Sequence, residues 1–165
     1  MRNVLKNCLI VAALVAATAS TAHANSLDER ERQITCLTRN IYEEARSEPV
    51  SAQIIVGLIT KARVEDERWP GEYCAVTTSS EFSWTLHKKQ QKTVNATAWT
   101  IAHMIARGVH DGRYELPNDM GCVRWYKRTD GRGVSKNGKR FFGTRLSPIR
   151  AFGAHTAYCE KRTEA

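Results

Sequence analysis

Apolar residues recur at helical spacing in three stretches of the chain. Ile34, Leu37, Ile41 and Ala45 form one narrow stripe at about 100° per residue. The spacing predicts a first helix over Leu27–Ala45, with Asp28, Glu29 and Glu31 near its start, where the helix dipole favours carboxylates. Pro49 suits the first turn of a second helix, Val50 to about Val64. The residue before a proline is pushed out of helical geometry, so Glu48 is expected in the corner itself, capping the second helix. That helix carries Ile54, Ile55, Leu58, Ile59 and Ala62, with Val56 widening the apolar face, and is expected to be the central core helix. Gly57 inside it costs about 1 kcal/mol relative to Ala, and is expected to let another helix approach closely. A third helix is predicted from about Val94 to Val109, with Ala98, Ile101, Ala102, Ile105 and Val109 on one face and a glycine stop near Gly108 and Gly112.

The remaining stretches lack this period. Trp69-Pro70-Gly71 is a break, Cys74–Glu81 reads as polar and turn-like, and Phe82-Ser83-Trp84 is a short aromatic segment. Tyr114–Met120 is a loop around Pro117, and Cys122–Tyr126 suits a short strand or extended arm. Asp130–Arg140 is rich in Gly, Lys and Arg and reads as a mobile basic loop. Order is expected to resume at Phe141 and Phe142, then from Ile149 to Tyr158. There is no internal repeat. The sum is a mainly α domain with a small extended or β part.

The amino terminus changes the picture. Arg2 and Lys6 precede a short apolar run, Leu9–Ala19, and Ala22-His23-Ala24 offers small residues where a signal peptidase reads. Residues 1–24 are expected to be a cleaved signal peptide, taking Cys8 with it, and residues 25–165 a single domain. The apolar run is short for a bilayer span, so no stable membrane insertion is expected. Four cysteines remain: Cys36, Cys74, Cys122 and Cys159. An even count in an exported chain argues for two disulfides. Of three possible pairings, Cys36–Cys74 with Cys122–Cys159 is preferred. No Cys-x-x-Cys, His-Glu-x-x-His or close His pair is present, so no metal is expected. Loss of Arg2 and Lys6 lowers the formal charge of +8 by two, to +6. A basic exported protein is drawn to polyanions such as cell-wall polymers and anionic lipid surfaces, and outside the cytoplasm nucleic acid is not the expected partner.

Candidate chemistry centres on three carboxylates, Glu43, Glu44 and Glu48. Glu44 projects onto the edge of the first apolar stripe, while Glu43 projects to the opposite side. A carboxyl half-buried against apolar neighbours has a raised pKa, which a general acid needs near neutral pH. Aromatic and polar residues scattered between the helices (Phe82, Ser83, Trp84, Trp125, Tyr126, His155 and Tyr158) are the mixture a sugar-binding groove uses. Each also has a plain structural reading: core or rim for Trp84 and Trp125, a cap for Ser83, a hydrogen-bonded structural histidine for His155. No Ser-His-Asp set, Gly-x-Ser-x-Gly or nucleotide-binding glycine loop is legible.

The run Cys36-Leu37-x-x-Asn40-Ile41-Tyr42-x-Glu44-Ala45-Arg46-x-Glu48-Pro49 resembles the signature of the SleB-type cell-wall hydrolases. Gln53-Ile54-x-Val56, Arg63-Val64 followed by Arg68-Trp69-Pro70 and Cys74, Phe82-Ser83-Trp84, Gly121–Tyr126 and Gly153-Ala154-His155-Thr156-x-Tyr158 resemble further elements of that family, in its order. The resemblance implies a lysozyme-like fold and cleavage of the peptidoglycan glycan strand between N-acetylmuramic acid and N-acetylglucosamine, without a cofactor. It maps the family's catalytic glutamate onto Glu44 and implies lytic transglycosylation, in which the muramic acid C6 hydroxyl attacks the anomeric carbon and leaves a 1,6-anhydro end. Two positions depart from the pattern. Glu81 stands where the family has Gln, and as a second carboxylate it would make the enzyme a hydrolysing muramidase. Lys127 stands where the family tends to carry a histidine, and the basic 130–140 insertion is also unusual. The competing classes are an N-acetylmuramoyl-L-alanine amidase and a non-catalytic wall-binding protein. A periplasmic or extracellular, wall-associated location is expected.

Overall fold

The computed structural model describes residues 26–78, 82–86, 94–129 and 145–161. The expected signal peptide, Glu81, the Asp130–Arg140 loop, and Phe141 and Phe142 lie outside the described residues. The chain divides into two compact units, residues 1–33 and 34–165. In the first, residues 26–33 are helical, and Glu29 takes hydrogen bonds from Arg32 and Gln33, both at 2.7 Å. Apart from the first turns of the first helix, every element below belongs to the second unit.

The first helix, α1, is residues 26–45, in close agreement with its apolar period. Ile34, Leu37, Ile41 and Ala45 are all buried. The second helix, α2 (Val50–Val64), starts after Pro49 as expected, although no side chain caps it. It is the core helix. A Cβ added at Gly57 would lie 3.0 Å from Ile41 and 3.1 Å from Val109, so both α1 and the third long helix close on this point.

Two short helices follow: α3 (Tyr73–Thr78) and α4 (Ser83–Leu86). The turn-like reading of Cys74–Glu81 is corrected by α3. Tyr73, Val76 and Thr77 are buried, and the Thr77 and Thr78 hydroxyls both donate back to the Cys74 carbonyl. A disulfide from Cys74 to Cys36 holds α3 to α1. The third long helix, α5, is Ala96–His110, two residues later at its start than the apolar pattern suggests. Asn95 is the reason: its side chain accepts from Ala98 N at 2.9 Å, making it the N-cap. The helix ends in paired bonds, Gly112 N to Val109 O and Arg113 N to Gly108 O, with Gly112 in the left-handed region.

A 3₁₀ turn at Asn118–Met120 leads into the sheet, whose strands are β1 (Trp125–Arg128), β2 (Leu146–Phe152) and β3 (His155–Glu160). All pairing is antiparallel in the order β1-β3-β2, so β3, the last strand, is central. A second disulfide joins Cys122 to Cys159. Among the described residues no helix is long and apolar enough to cross a membrane.

Candidate active site

Register decides which strand residues share a face. Tyr126 pairs with Ala157 and Arg128 with His155, while Trp125 pairs with Tyr158 and Lys127 with Thr156. Directly paired residues point to the same side. His155, Ala157 and Cys159 are the buried residues of β3, so Tyr126 and Arg128 belong to the inward face.

Glu44 sits at the foot of α1 opposite these residues. The residue is half-buried, with its carboxyl packed round by protein. Burial raises its pKa to about 7. The guanidinium groups of Arg63 and Arg128 pull in the other direction, and the neighbouring Glu43 adds to the rise. The result is a carboxyl half-protonated near neutral pH.

The other two carboxylates of the motif are occupied. Glu43, only partly exposed, pairs with Arg46 at 3.2 Å. Glu48 pairs with Arg128 at 3.3 Å and accepts from Ala154 N at 2.9 Å. Its expected role as a cap for α2 is therefore corrected: it caps the β2–β3 turn. Gly153 has φ +53, and a Cβ there would fall 2.5 Å from Glu48 Oε2, so glycine alone leaves room for the carboxylate.

Arg63 forms the floor. It is 4 % exposed, and its Nε donates to Arg124 O at 2.6 Å. Four rings lie around its guanidinium: Phe82 at 5.1 Å, Trp125 at 5.4 Å, and Trp69 and Tyr126 at 5.9 Å. Ring faces stabilise a cation without withdrawing its charge from neighbours. Asn40, fully buried one turn before Glu44, accepts from Trp84 Nε1 at 3.1 Å and donates to Thr60 Oγ1 at 3.0 Å.

The sequence-derived groove residues thus separate. Trp84 donates to Asn40, and the rings of Tyr126 and Trp125 lie at the Arg63 guanidinium. Phe82 is 2 % exposed beneath Arg63, and His155 is wholly buried, stacked on Phe152 and edge-on to Tyr126, with ring centroids 5.4 Å away in each case. Neither ring is open to a polymer, so the expectation of direct substrate contact is corrected for both: they support the site from behind. Tyr158 follows Trp125 on the other face of the sheet. Ser83 lends its backbone to α4; its side chain, like Glu81, lies outside the described residues. Thr60 and Arg128 were not singled out by sequence reasoning, and Asn40 and Arg63 stood in the motif runs without an assigned role. Two had a signal: Asn40 and Arg63 are polar residues at apolar-face positions, one turn before Glu44 and one turn after Ile59. Among the described residues, no three His, Cys, Asp or Glu side chains converge as metal ligands.

A mostly helical body with a small three-stranded antiparallel sheet is a lysozyme-like fold. More narrowly, it is the fold of the SleB catalytic domains. The chain resembles the catalytic domain of the Bacillus cereus SleB protein at 21 % identity and a TM-score of 0.54, over 79 % of this chain and 91 % of that one. It resembles the catalytic domain of the germination-specific lytic transglycosylase SleB from Bacillus anthracis at 22 % identity and a TM-score of 0.53, over 78 % and 93 %. No family model and no curated protein matches the chain.

Proposed function

We propose that this protein cleaves peptidoglycan glycan strands between N-acetylmuramic acid and N-acetylglucosamine as a lytic transglycosylase, with Glu44 as its acid and base. The observation that carries this reading is a single desolvated carboxyl with pKa about 7, flanked by two carboxylates already engaged. The likeness to a lytic transglycosylase domain supports it.

In the first step the protonated Glu44 gives its proton to the glycosidic oxygen. The bond to the muramic acid anomeric carbon breaks, and the N-acetylglucosamine hydroxyl leaves. In the second step the Glu44 carboxylate takes the proton of the muramic acid C6 hydroxyl, whose oxygen bonds to the anomeric carbon. A group with pKa near ambient pH serves both steps. Arg63 and Arg128 stabilise the carboxylate between them, and Trp84 and Trp125 offer half-buried aromatic surface to pyranose rings.

Digestion of purified sacculi followed by mass analysis of the muropeptides tests this reading. Anhydro ends, lighter by one water than reducing ends, are expected. Reducing ends would transfer the reaction to a hydrolysing muramidase with Glu81 as second carboxylate. Free stem peptides would make it an amidase, and binding without release a wall-binding protein. Glu44→Gln is expected to lower release by about 10²–10⁴-fold. Unchanged release in that variant would remove Glu44 from the reaction.

A further inference from the structure

Arginines that lose water on folding keep an acceptor in this molecule, with one exception. Of the half-buried or buried arginines among the described residues, Arg30 donates to Glu31 at 3.2 Å and Arg63 to Arg124 O at 2.6 Å. Arg107 donates to His103 Nε2 at 3.1 Å, Arg124 donates to Asp66 at 3.1 Å, and Arg128 pairs with Glu48 at 3.3 Å. Arg39 is also half-buried, yet among the described residues it has no hydrogen-bond acceptor and no ion pair. Its guanidinium lies over the Trp84 ring, 5.3 Å from the centroid. The nearest carboxylate in sequence is Glu43, at the spacing of a helical i,i+4 ion pair. Glu43 bonds Arg46 instead, at 3.2 Å.

The ring under Arg39 is itself fixed. Trp84 Nε1 donates to Asn40 Oδ1 at 3.1 Å, and Asn40 Nδ2 donates to Thr60 Oγ1 at 3.0 Å in the core of α2. A ring face holds a cation without using its hydrogens. The planar fork of N–H donors therefore stays available, and that fork matches a carboxylate through two parallel bonds. Placing the arginine over a fixed ring in advance lowers the entropy lost when an anion binds. A half-desolvated charge without an acceptor is also a cost to the fold, and a bound anion relieves it.

The position suits the proposed substrate. Arg39 precedes Asn40 on α1, and it lies about 7.5 Å from Glu44 along the helix axis. In a glycan strand the N-acetylglucosamine units are neutral. Negative charge sits on the branch of each N-acetylmuramic acid unit: a lactyl carboxylate where the branch is bare, and the carboxylates of the stem peptide where one is attached.

We infer that Arg39, held over Trp84, is a carboxylate-binding residue that takes the acidic branch of the muramic acid unit. This rests on the reading of the protein as an enzyme of the glycan strand, and it deepens that reading. Two sugars alternate along the strand, and only one of them carries an acid. Engaging that acid fixes the register, and so decides which anomeric carbon is presented to Glu44.

The test measures binding of N-acetylglucosamine–N-acetylmuramic acid disaccharides, which lack the bond proposed to be cut, so it needs no activity. NMR titration compares three forms: one with the free lactyl carboxylate, one with its neutral methylamide, and one carrying a stem tetrapeptide. In the unaltered protein a charged form is expected to bind about tenfold tighter than the methylamide, and to shift the Arg39 Nε–H and Trp84 indole N–H signals. Arg39→Gln is expected to remove that advantage and leave the methylamide affinity unchanged. Tighter binding of the free lactyl form assigns the site to strands bare of peptide, and tighter binding of the tetrapeptide form assigns it to peptide-bearing strands. Equal affinity for charged and neutral forms in the unaltered protein, or an equal loss for all three in Arg39→Gln, overturns the inference. Should Arg39→Gln not fold, the unaltered protein decides: an Arg39 Nε–H signal that stays still with both charged forms overturns it. If the charged forms bind as expected while sacculi stay intact, the carboxylate site stands and the proposed reaction falls. If sacculi yield anhydro ends while charge makes no difference to binding, the reaction stands and this inference falls.

Discussion

Two places in this molecule set one carboxylate among two arginines, with opposite results. At the surface, Asp66 accepts from Arg68 Nη2 at 2.8 Å, Arg68 Nε at 2.9 Å and Arg124 Nε at 3.1 Å, and Arg68 also reaches Glu160 at 2.6 Å. These bonds hold Asp66 well below the usual aspartate range. At the candidate site, Glu44 has Arg63 and Arg128 nearby yet titrates at about 7. The difference lies in where the guanidinium hydrogens go. Arg63 donates to a backbone carbonyl and is surrounded by rings; Arg128 pairs with Glu48. At Asp66 the arginines bond the carboxylate itself, and water screens the cost of its charge. At Glu44 they contribute only their field, and desolvation wins.

The sharpest break in this contrast is expected from Glu44→Gln. The folded pKa of Glu44 lies above the ordinary glutamate value, so between about pH 4.5 and 7 the folded chain keeps a proton that the unfolded chain has released. Stability therefore falls as pH rises through that window. After allowance for the part of the side chain open to water, the variant is expected to gain about 2 kcal/mol over the native protein at pH 8. At pH 4 the gain is absent. Urea denaturation at the two pH values measures it, and an equal difference at both would contradict a charged, desolvated Glu44.

Removing one source of field is the next largest effect. Arg63→Met is expected to raise the Glu44 pKa and move the alkaline limb of the cleavage profile up by about one pH unit, while Arg63→Lys leaves the limb near its native place. A purely structural arginine would lower the rate in both variants without moving the limb. Glu48→Gln works in reverse and more weakly. It removes a negative charge and releases Arg128 from its partner, so the limb is expected to move down by about half a pH unit. The smallest effect belongs to the surface. Asp66→Asn is expected to cost about 0.5 kcal/mol at neutral pH and low salt. Because the folded pKa is depressed, that cost shrinks as pH falls through the acid range, and it also shrinks as salt is added. Thermal melts in a salt series measure it.

The helices were legible because their information is local. The stripe through Ile34, Leu37, Ile41 and Ala45, the Pro49 break and the run around Val56 and Ile59 set α1 and α2 closely. α3 was missed because Cys74–Thr78 shows no long apolar period, and the Cys36 disulfide helps to hold it. β2 was the hardest to see: between its buried ends, Leu146 and Phe152, none of its residues is buried, and its middle carries Pro148 and a bulge. At the site, Glu44 was visible from its place on the edge of a stripe, and the SleB-type motif named the same residue. Its surroundings were not visible. Arg63 and Arg128 approach it from α2 and β1, and the partner of Glu48 lies 106 residues along the chain.

The sheet order also governs when the site comes into being. β1 carries Arg128, yet among the described residues its one strand partner is β3, the last of the three strands. A chain that emerges amino terminus first can build α1 and α2 early, with Glu44 already in place. Arg128 stays without its strand partner until residues 155–160 arrive. Folding from the amino end therefore places the Glu44 carboxyl and Arg63 first, and Arg128 takes its final place only as β3 closes the sheet.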